Sequence, residues 1–374
     1  MAYLGENIAK LGFGLMRLPM NGDLIDATTT MEMVDLFLDS GFTYFDTAYV
    51  YIGGKSEEIV KTAIVDRYPR ESFQLATKLT AWVEAKTAED AKQMFWTSLK
   101  RTGAEYFDYY LLHNVGSARI KKFDDFGIWD YVLDLKEKGL VRHAGFSFHD
   151  KADVLDEMLT KHPEMEFVQL QLNYADWESA TVQSRECYEV ARKHNKPIII
   201  MEPVKGGLLA DLLPTEVKDV FDTFGSGSSY ASWALRYAAS LDGIITVLSG
   251  MSTIDQVRDN VSFMKDFQPL DNSERAVVEK AMSVLESIPS VPCTSCDYCR
   301  PGCPKNINIP GIIEAANRER VYKSHERAKV GYYWETLFSG KGSECSTCGK
   351  CEEACPQDIK IMDIIKEAAA KYES

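Results

Sequence analysis

Along residues 11 to 250, short apolar, β-rich runs alternate with longer stretches whose apolar residues recur at three- and four-residue steps. The runs are LGFGLMRL (11–18), TYFDTA (43–48), FQLATKL (73–79), YFDYYLLH (106–113), VRHAGFSF (141–148), FVQLQLNY (167–174), PIIIMEPV (197–204) and GIITVLSG (243–250). Between them TTTMEMVDLFLDSG, TAEDAKQMFWTSLKRTG and SYASWALRYAASL each carry an apolar stripe, the pattern of amphipathic helices. Such alternation predicts βα units and a parallel sheet, and eight pairs predict an α/β fold of the (β/α)8 TIM-barrel type over residues 1–265. A doubly wound sheet is the competing arrangement, but no G-x-G-x-x-G follows an early strand. SERAVVEKAMSVLESI then predicts a connecting helix within 266–290, which PSVPC ends, and a second domain over 291–374.

A length of 374 residues suits a barrel of about 250 residues plus an appendage. MAYLGENIAK has no basic segment followed by an apolar one, and no run approaches the roughly 18 apolar residues of a membrane span. A soluble cytoplasmic protein without a membrane partner is the expectation. The net charge of −14 lies wholly in residues 1–290, because residues 291–374 hold 12 Lys plus Arg against 12 Asp plus Glu. An acidic first part disfavours nucleic acid, whose binding needs a basic footprint.

Eight of the nine cysteines fall in CTSCDYCRPGCP (293–304) and CSTCGKCEEACP (345–356). Each run reads C-x2-C-x2-C-x3-C-P, too dense for a disulfide framework and suited to thiolate ligation in a reducing compartment. Zinc also uses paired C-x2-C units. The doublet nevertheless matches the two-cluster ferredoxin pattern, in which the fourth cysteine of each run crosses to the other [4Fe–4S] cluster. On that pattern the tail is a mainly helical, ferredoxin-like domain with two [4Fe–4S] clusters. One uses Cys293, Cys296, Cys299 and Cys355, the other Cys345, Cys348, Cys351 and Cys303. Between the runs, YKSHERAKVGYYWETLF is expected to be helical, with aromatics to pack against the barrel. Arg318, Arg320, Lys323, Arg327 and Lys329 concentrate there. They read either as a solvated or docked helix face or as a landing site for an acidic ferredoxin- or flavodoxin-type electron partner.

In such barrels reactive groups gather at the C-terminal ends of strands. Asp46, Lys78 and His113 close the second, third and fourth predicted strands, and Tyr51 follows Asp46 by five residues. Each alone has a structural explanation as a cap, an exposed lysine, a core-edge histidine or a packing ring. Together at corresponding strand ends they form a candidate site.

The stretches LGFGLMRLP, FDTAYVYIGGKSEE, LATKL, YFDYYLLHN, GLVRHAGFSFH, VQLQLNY and TVLSGMSTIDQVRDN resemble the aldo-keto reductase superfamily, in the family's order. GFSFHD, MEPVKGG and the cysteine doublet are similar to the branch with a C-terminal iron–sulfur domain. The resemblance implies a catalytic tetrad of Asp46, Tyr51, Lys78 and His113. Tyr51 would donate a proton to a reduced carbonyl, and an adjacent Lys78 ammonium, held by Asp46, is expected to lower its phenol from an ordinary value near 10. His113 would direct and polarise the carbonyl oxygen, and a His here favours carbonyl over enone reduction.

The same resemblance implies cofactor contacts from Gly14, Met16, Arg17 and Asp46, and from Met201 and Pro203. Ser147 and Gln169 would hold the nicotinamide carboxamide, while Lys205, Gly206 and Gly207 would lie along the pyrophosphate. Gly250, Met251, Ser252, Gln256 and Asn260 would surround the adenosine. Phe148 stands where many members have Asn, Met201 where an aromatic stacks on the nicotinamide, and Gly250 and Gln256 where some members place basic residues. Family habit favours NADP(H) over NAD(H), and no flavin fingerprint is present, although a barrel can bind flavin without one.

Cys187 reads as packing, His149 as lining the substrate mouth or capping a loop, Trp82 as a pocket wall or a cover on the barrel rim, and Arg17 as a contact to either a substrate carboxylate or the cofactor. The leading expectation is an oxidoreductase acting on a small carbonyl or alcohol. The alternative is an electron-transfer or binding subunit whose barrel does not turn over, against which the intact tetrad argues.

Overall fold

The computed structural model describes residues 4–5, 7–225 and 227–373. Eight parallel strands close a barrel in the order β1 (Leu11–Gly14), β10 (Ile244–Ser249), β9 (Ile198–Met201), β8 (Phe167–Gln171), β7 (Val141–Phe148), β6 (Phe107–Val115), β5 (Gln74–Leu79) and β4 (Tyr44–Asp46). These are the eight predicted strands. The remaining pair, β2 (Met20–Asn21) and β3 (Leu24–Ile25), is an antiparallel hairpin that the periodicity did not announce. Two-residue strands show no alternation, and only the Gly22-Asp23 turn, with Gly22 at φ 61, marks it.

Three predicted strands run three or more residues past their observed ends. β1 stops at Gly14, after which Leu15 N–H still reaches the Asp46 carbonyl at 2.8 Å. β8 stops at Gln171, and Asn173 caps a tight turn over Tyr174–Asp176 by accepting from Asp176 N–H at 2.9 Å. β9 stops at Met201, because Glu202 turns to φ 55 and Pro203 has no N–H to donate.

Strand alternation decides what fills the barrel. Tyr44, Ala76, Tyr109, Leu111, Phe167, Ile199, Ile245 and Leu248 form an apolar cluster separate from the one between sheet and helices. The Tyr109 ring centroid lies 5.2 Å from those of both Tyr44 and Phe167. Two residues beyond Tyr44, Ala76, Leu111, Phe167 and Ile199 come Asp46, Lys78, His113, Gln169 and Met201. The side-chain period of two thus sets the candidate residues on top of this plug, at the C-terminal ends of their strands. Outside, the helix Ala88–Thr102 follows β5, opened by a Thr87/Asp90 capping box and closed by left-handed Gly103.

The chain forms two compact units. One takes the chain through Glu178 with Val182–Lys205 and Ala231–Asn272, and the other takes Ser179–Thr181, Gly206–Tyr230 and the chain from Ser273 onward. The second unit contains a repeat offset by 52 residues, visible as Cys303/Cys355, Ile307/Ile359 and Ile309/Ile361. Ser295 and Asp297 repeat as Thr347 and Gly349, and Asn306 as Asp358, and all six have positive φ. Each half ends in a helix, Ile309–Tyr322 or Ile361–Tyr372, packed over a shared apolar core.

The insert is helical over His325–Thr336, as expected. Its inward face, however, is Ala328, Gly331, Tyr332 and Thr336, so Tyr333 and Trp334 are left 55% and 50% exposed. The Tyr332 hydroxyl donates to Glu373 and accepts from Gly342 N–H at 2.7 Å, which fixes the turn leading to Cys345. Among the described residues no helix is long and apolar enough to cross a membrane.

Gly145 of β7 is required by the plug. A Cβ there would stand 2.5 Å from the Phe167 carbonyl oxygen and 2.7 Å from its ring. Gly145→Ala is expected to lower unfolding stability by about 1–3 kcal/mol, an overpacking cost, as a reduced denaturant midpoint. An unchanged midpoint would mean that β7 and β8 can separate freely.

Candidate active site and cluster-binding cavities

β4 and β5 are neighbours, with Asp46 opposite Ala76, so Lys78 projects just above Asp46. The Lys78 ammonium has no solvent exposure and bonds to the Asp46 carboxylate, to the Thr47 carbonyl at 2.8 Å and to the Tyr51 hydroxyl at 3.2 Å. The second Asp46 oxygen accepts from Gln169 Nε2 at 3.0 Å. His113 faces Tyr51 edge-on with ring centroids 5.7 Å apart. Its Nδ1 lies 3.1 Å from the Thr80 hydroxyl, and its carbonyl accepts from Trp82 Nε1 at 2.7 Å. The four predicted catalytic residues therefore meet, with Thr47, Thr80 and Trp82 fixing them.

Burial holds the Tyr51 phenol above its ordinary value, with Lys78 pulling it down less strongly and Asp46 and Glu202 adding to the rise. The lowering expected from the ammonium alone is thus reversed, because the loss of hydration outweighs it. The phenol keeps its proton, as a donor must. Burial works against the Lys78 charge, but Asp46 and Tyr51 together more than compensate and raise its pKa. Burial, then Lys78, push His113 well below the ordinary imidazole value, so this ring is neutral. It can orient and polarise an oxygen, but it is not the proton store.

All the predicted cofactor residues except Gly206 and Gly207 belong to the same unit as the tetrad. Ser147 pairs with Gln169 across β7 and β8, and its oxygen accepts from Asn114 N–H at 2.8 Å. Asn260 Nδ2 donates to Ser249 at 2.6 Å, and Gln256 accepts from Ser252 N–H at 2.7 Å, at the start of the helix Ile254–Met264. Met251 is buried. Gly14 ends β1, while Met16 is 37% exposed beyond it. Arg17 pairs with Glu202 at 2.8 Å, next to Met201 and Pro203. Its guanidinium lies 3.6 Å from where a Gly250 Cβ would stand. Lys205 is bound to buried Asp176 and begins a short turn through Gly206 and Gly207, all three with positive φ. Glu202 and Asp176 were not foreseen, since their cationic partners lie 185 and 29 residues away in sequence. His149 is exposed at the end of β7, and Cys187 is a buried packing residue whose thiol burial pushes up to about 12.

The cysteines line two cavities. One is bordered by Cys293, Cys296, Cys299 and Cys355, the other by Cys345, Cys348, Cys351 and Cys303, each closed by isoleucines. The crossed grouping follows from the repeat. The positive-φ residues between the cysteines make the kind of turn that gathers N–H groups around an anion. Ile307 N–H reaches Cys303 Sγ at 3.5 Å, and Ser295 and Lys350 N–H groups approach Cys293 and Cys348. Four sulfurs with backbone donors fit an iron–sulfur cluster. The basic insert is partly balanced locally, with Arg320 on Glu367 at 2.9 Å and Arg318 on Glu314 at 3.7 Å, as a solvated helix face would be.

Residues 10–282 match the aldo/keto reductase family model. This chain belongs to the aldo/keto reductase family. Residues 292–359 of this reductase match a 4Fe-4S dicluster domain. It is 23% identical to an uncharacterized oxidoreductase, YqkF, of Bacillus subtilis over 68% of this chain and 87% of that protein. It is also 23% identical to L-galactose dehydrogenase of Arabidopsis thaliana over 76% and 92%. Among solved structures, a holo-form aldo-keto reductase from Bacillus halodurans superposes with a TM-score of 0.61 and 26% identity, over 74% of this chain and 94% of that one. One from Klebsiella pneumoniae in complex with NADPH, 21% identical with a TM-score of 0.59 over 73% and 90%, shares the fold.

The neutral state of His113 has a measurable sign. Its folded-state pKa lies below the unfolded value near 6.5. The stability this burial confers is present above that value and is lost as pH falls toward the folded pKa. Histidine-selective ¹⁵N NMR should show the His113 resonance unmoved between about pH 8 and pH 6. A titration centred near 6.5 would contradict the burial effect.

Proposed function

We propose that this aldo-keto reductase interconverts a small carbonyl compound and its alcohol with NADP(H), and that its tail holds two [4Fe–4S] clusters. The Tyr51 hydroxyl within 3.2 Å of the Lys78 ammonium, beside a neutral His113, carries the reading. A nicotinamide bound beside the tetrad would supply the hydride. Tyr51 gives its proton to the oxygen on which charge develops, and Lys78 stabilises the phenolate left behind. Asp46 keeps Lys78 charged and aimed, while His113 orients the substrate oxygen. Ser147 and Gln169 would hold the nicotinamide carboxamide, and the N-terminal end of Ile254–Met264 offers N–H groups to the adenosine phosphates.

Cys293, Cys296, Cys299 and Cys355 would hold one cluster, and Cys345, Cys348, Cys351 and Cys303 the other. Such clusters exchange single electrons whereas a nicotinamide gives up a hydride, so no direct exchange between the two is assigned.

Tyr51→Phe is expected to keep the fold and NADPH binding while lowering carbonyl turnover by about 10²–10⁴-fold, the usual weight of a general acid. Near-normal turnover would remove Tyr51 from the role. Cys355→Ser should damage the same cluster as Cys293→Ser, read by iron content and electron paramagnetic resonance of anaerobically reconstituted protein. Loss of different clusters in the two variants would refute the crossed ligation.

A further inference from the structure

Tyr51 sits on a turn with two backbone bonds of its own, Tyr51 N–H to the Ala48 carbonyl at 3.0 Å and Gly53 N–H to the Val50 carbonyl at 3.2 Å. Ile52, Gly53 and Gly54 follow at φ 51, 63 and 88, three successive residues in the left-handed region. Side-chain contacts from outside the turn add to these backbone bonds. Arg101, in the last turn of the helix Ala88–Thr102, donates through Nη1 to the Tyr49 carbonyl at 3.0 Å and stacks its guanidinium 4.4 Å over the Tyr49 ring. The same nitrogen reaches Glu57 Oε2 at 3.2 Å. Glu57, with no exposed side-chain surface, accepts from the Thr77 hydroxyl through its other oxygen at 2.7 Å.

Thr77 directly precedes Lys78. Strand alternation turns Lys78 into the barrel and Thr77 toward the helices, so β5 carries the ammonium on one face and an anchor for Glu57 on the other. Tyr49 N–H completes the circuit by donating to the Lys78 carbonyl at 3.3 Å. Lys78, Tyr49, Arg101, Glu57 and Thr77 thus form a closed ring of contacts around the backbone that sets the Tyr51 to Lys78 separation. Space is kept for it, because a Cβ on Gly54 would stand 2.8 Å from the Arg101 guanidinium carbon.

We propose that Arg101 and Glu57 are positioning residues for the Tyr51 hydroxyl, holding it in register with Lys78 through the Tyr49 carbonyl. This rests on Tyr51 being the proton donor. Neither side chain needs to touch substrate or cofactor, and a loosened turn would misplace the donor by a fraction of its hydrogen-bond length. Errors of about 1 Å cost up to roughly 100-fold in rate.

The test uses Arg101→Met combined with Glu57→Gln, so that no buried charge is left unpaired. In the folded holoenzyme, checked by circular dichroism, kcat for carbonyl reduction should fall about tenfold or more, with KM and the NADPH Kd within about twofold. The alkaline limb of kcat, where Tyr51 ionises while facing Lys78, Asp46, Arg17, Glu202 and His113, should also move. In a Tyr51→Phe background the same pair should cause no further loss, since it acts through the hydroxyl. A kcat within about twofold of the parent, or an equal loss with and without Tyr51, overturns the proposal. Should the double variant not fold, Arg101→Lys, which keeps the charge against Glu57 but loses the planar fork, decides by the same criteria. Normal turnover by Tyr51→Phe alone would instead remove the underlying reading of the site.

Discussion

At the top of the barrel a lysine ammonium has been taken completely out of water, and it is tolerable there only because its partners are delivered to it. An unpaired buried ammonium costs several kcal/mol in lost hydration. Lys78 recovers this from the Asp46 carboxylate, the Thr47 carbonyl and the Tyr51 hydroxyl, and Gln169 in turn satisfies the far oxygen of Asp46. With Lys78 itself, those groups come from three strands and a loop, so only a closed barrel in the observed register brings them together. The aromatic plug of Tyr44, Tyr109 and Phe167 beneath them makes that closure possible and excludes water from below.

The same burial sets the chemical character of the site. Dehydration alone would raise the Tyr51 phenol and suppress the His113 imidazolium, and both effects survive the neighbouring charges. The result is one group that stores a proton and another that is an uncharged hydrogen-bonding ring. Farther out, Arg17 on Glu202 and Lys205 on Asp176 hold cationic side chains against carboxylates at the mouth. An anionic ligand entering there would compete with those carboxylates.

The second unit solves a different problem with a repeat. Neither half of the 52-residue repeat lines a complete cavity, because each surrenders its fourth cysteine to the other. A cluster ligated by cysteines of both halves would tie them together in addition to the apolar core. Thr347, a β-branched residue at φ 52, shows the local backbone cost that the turns bear.

Much of this was legible in the chain itself. Apolar periodicity determined the eight barrel strands and the flanking helices, because burial on both faces of a sheet leaves a local, short-range pattern. Cysteine spacing determined the two runs, and the position of Asp46, Lys78 and His113 at strand ends marked the candidate site, since a period of two fixes which side chain points inward. Tertiary structure alone decided the rest. The sign of the Tyr51 shift depends on how much water is lost, which no neighbouring residue type reveals. The ends of β1, β8 and β9 depend on single turns, and the hairpin at Met20–Ile25 is too short to carry a period. Arg101 and Glu57 read as ordinary charges on helical stretches until the fold brings them behind Tyr49. Pairings such as Arg17 with Glu202 join residues 185 positions apart, and a contact across that distance exists only once barrel closure has set β1 and β9 on either side of β10.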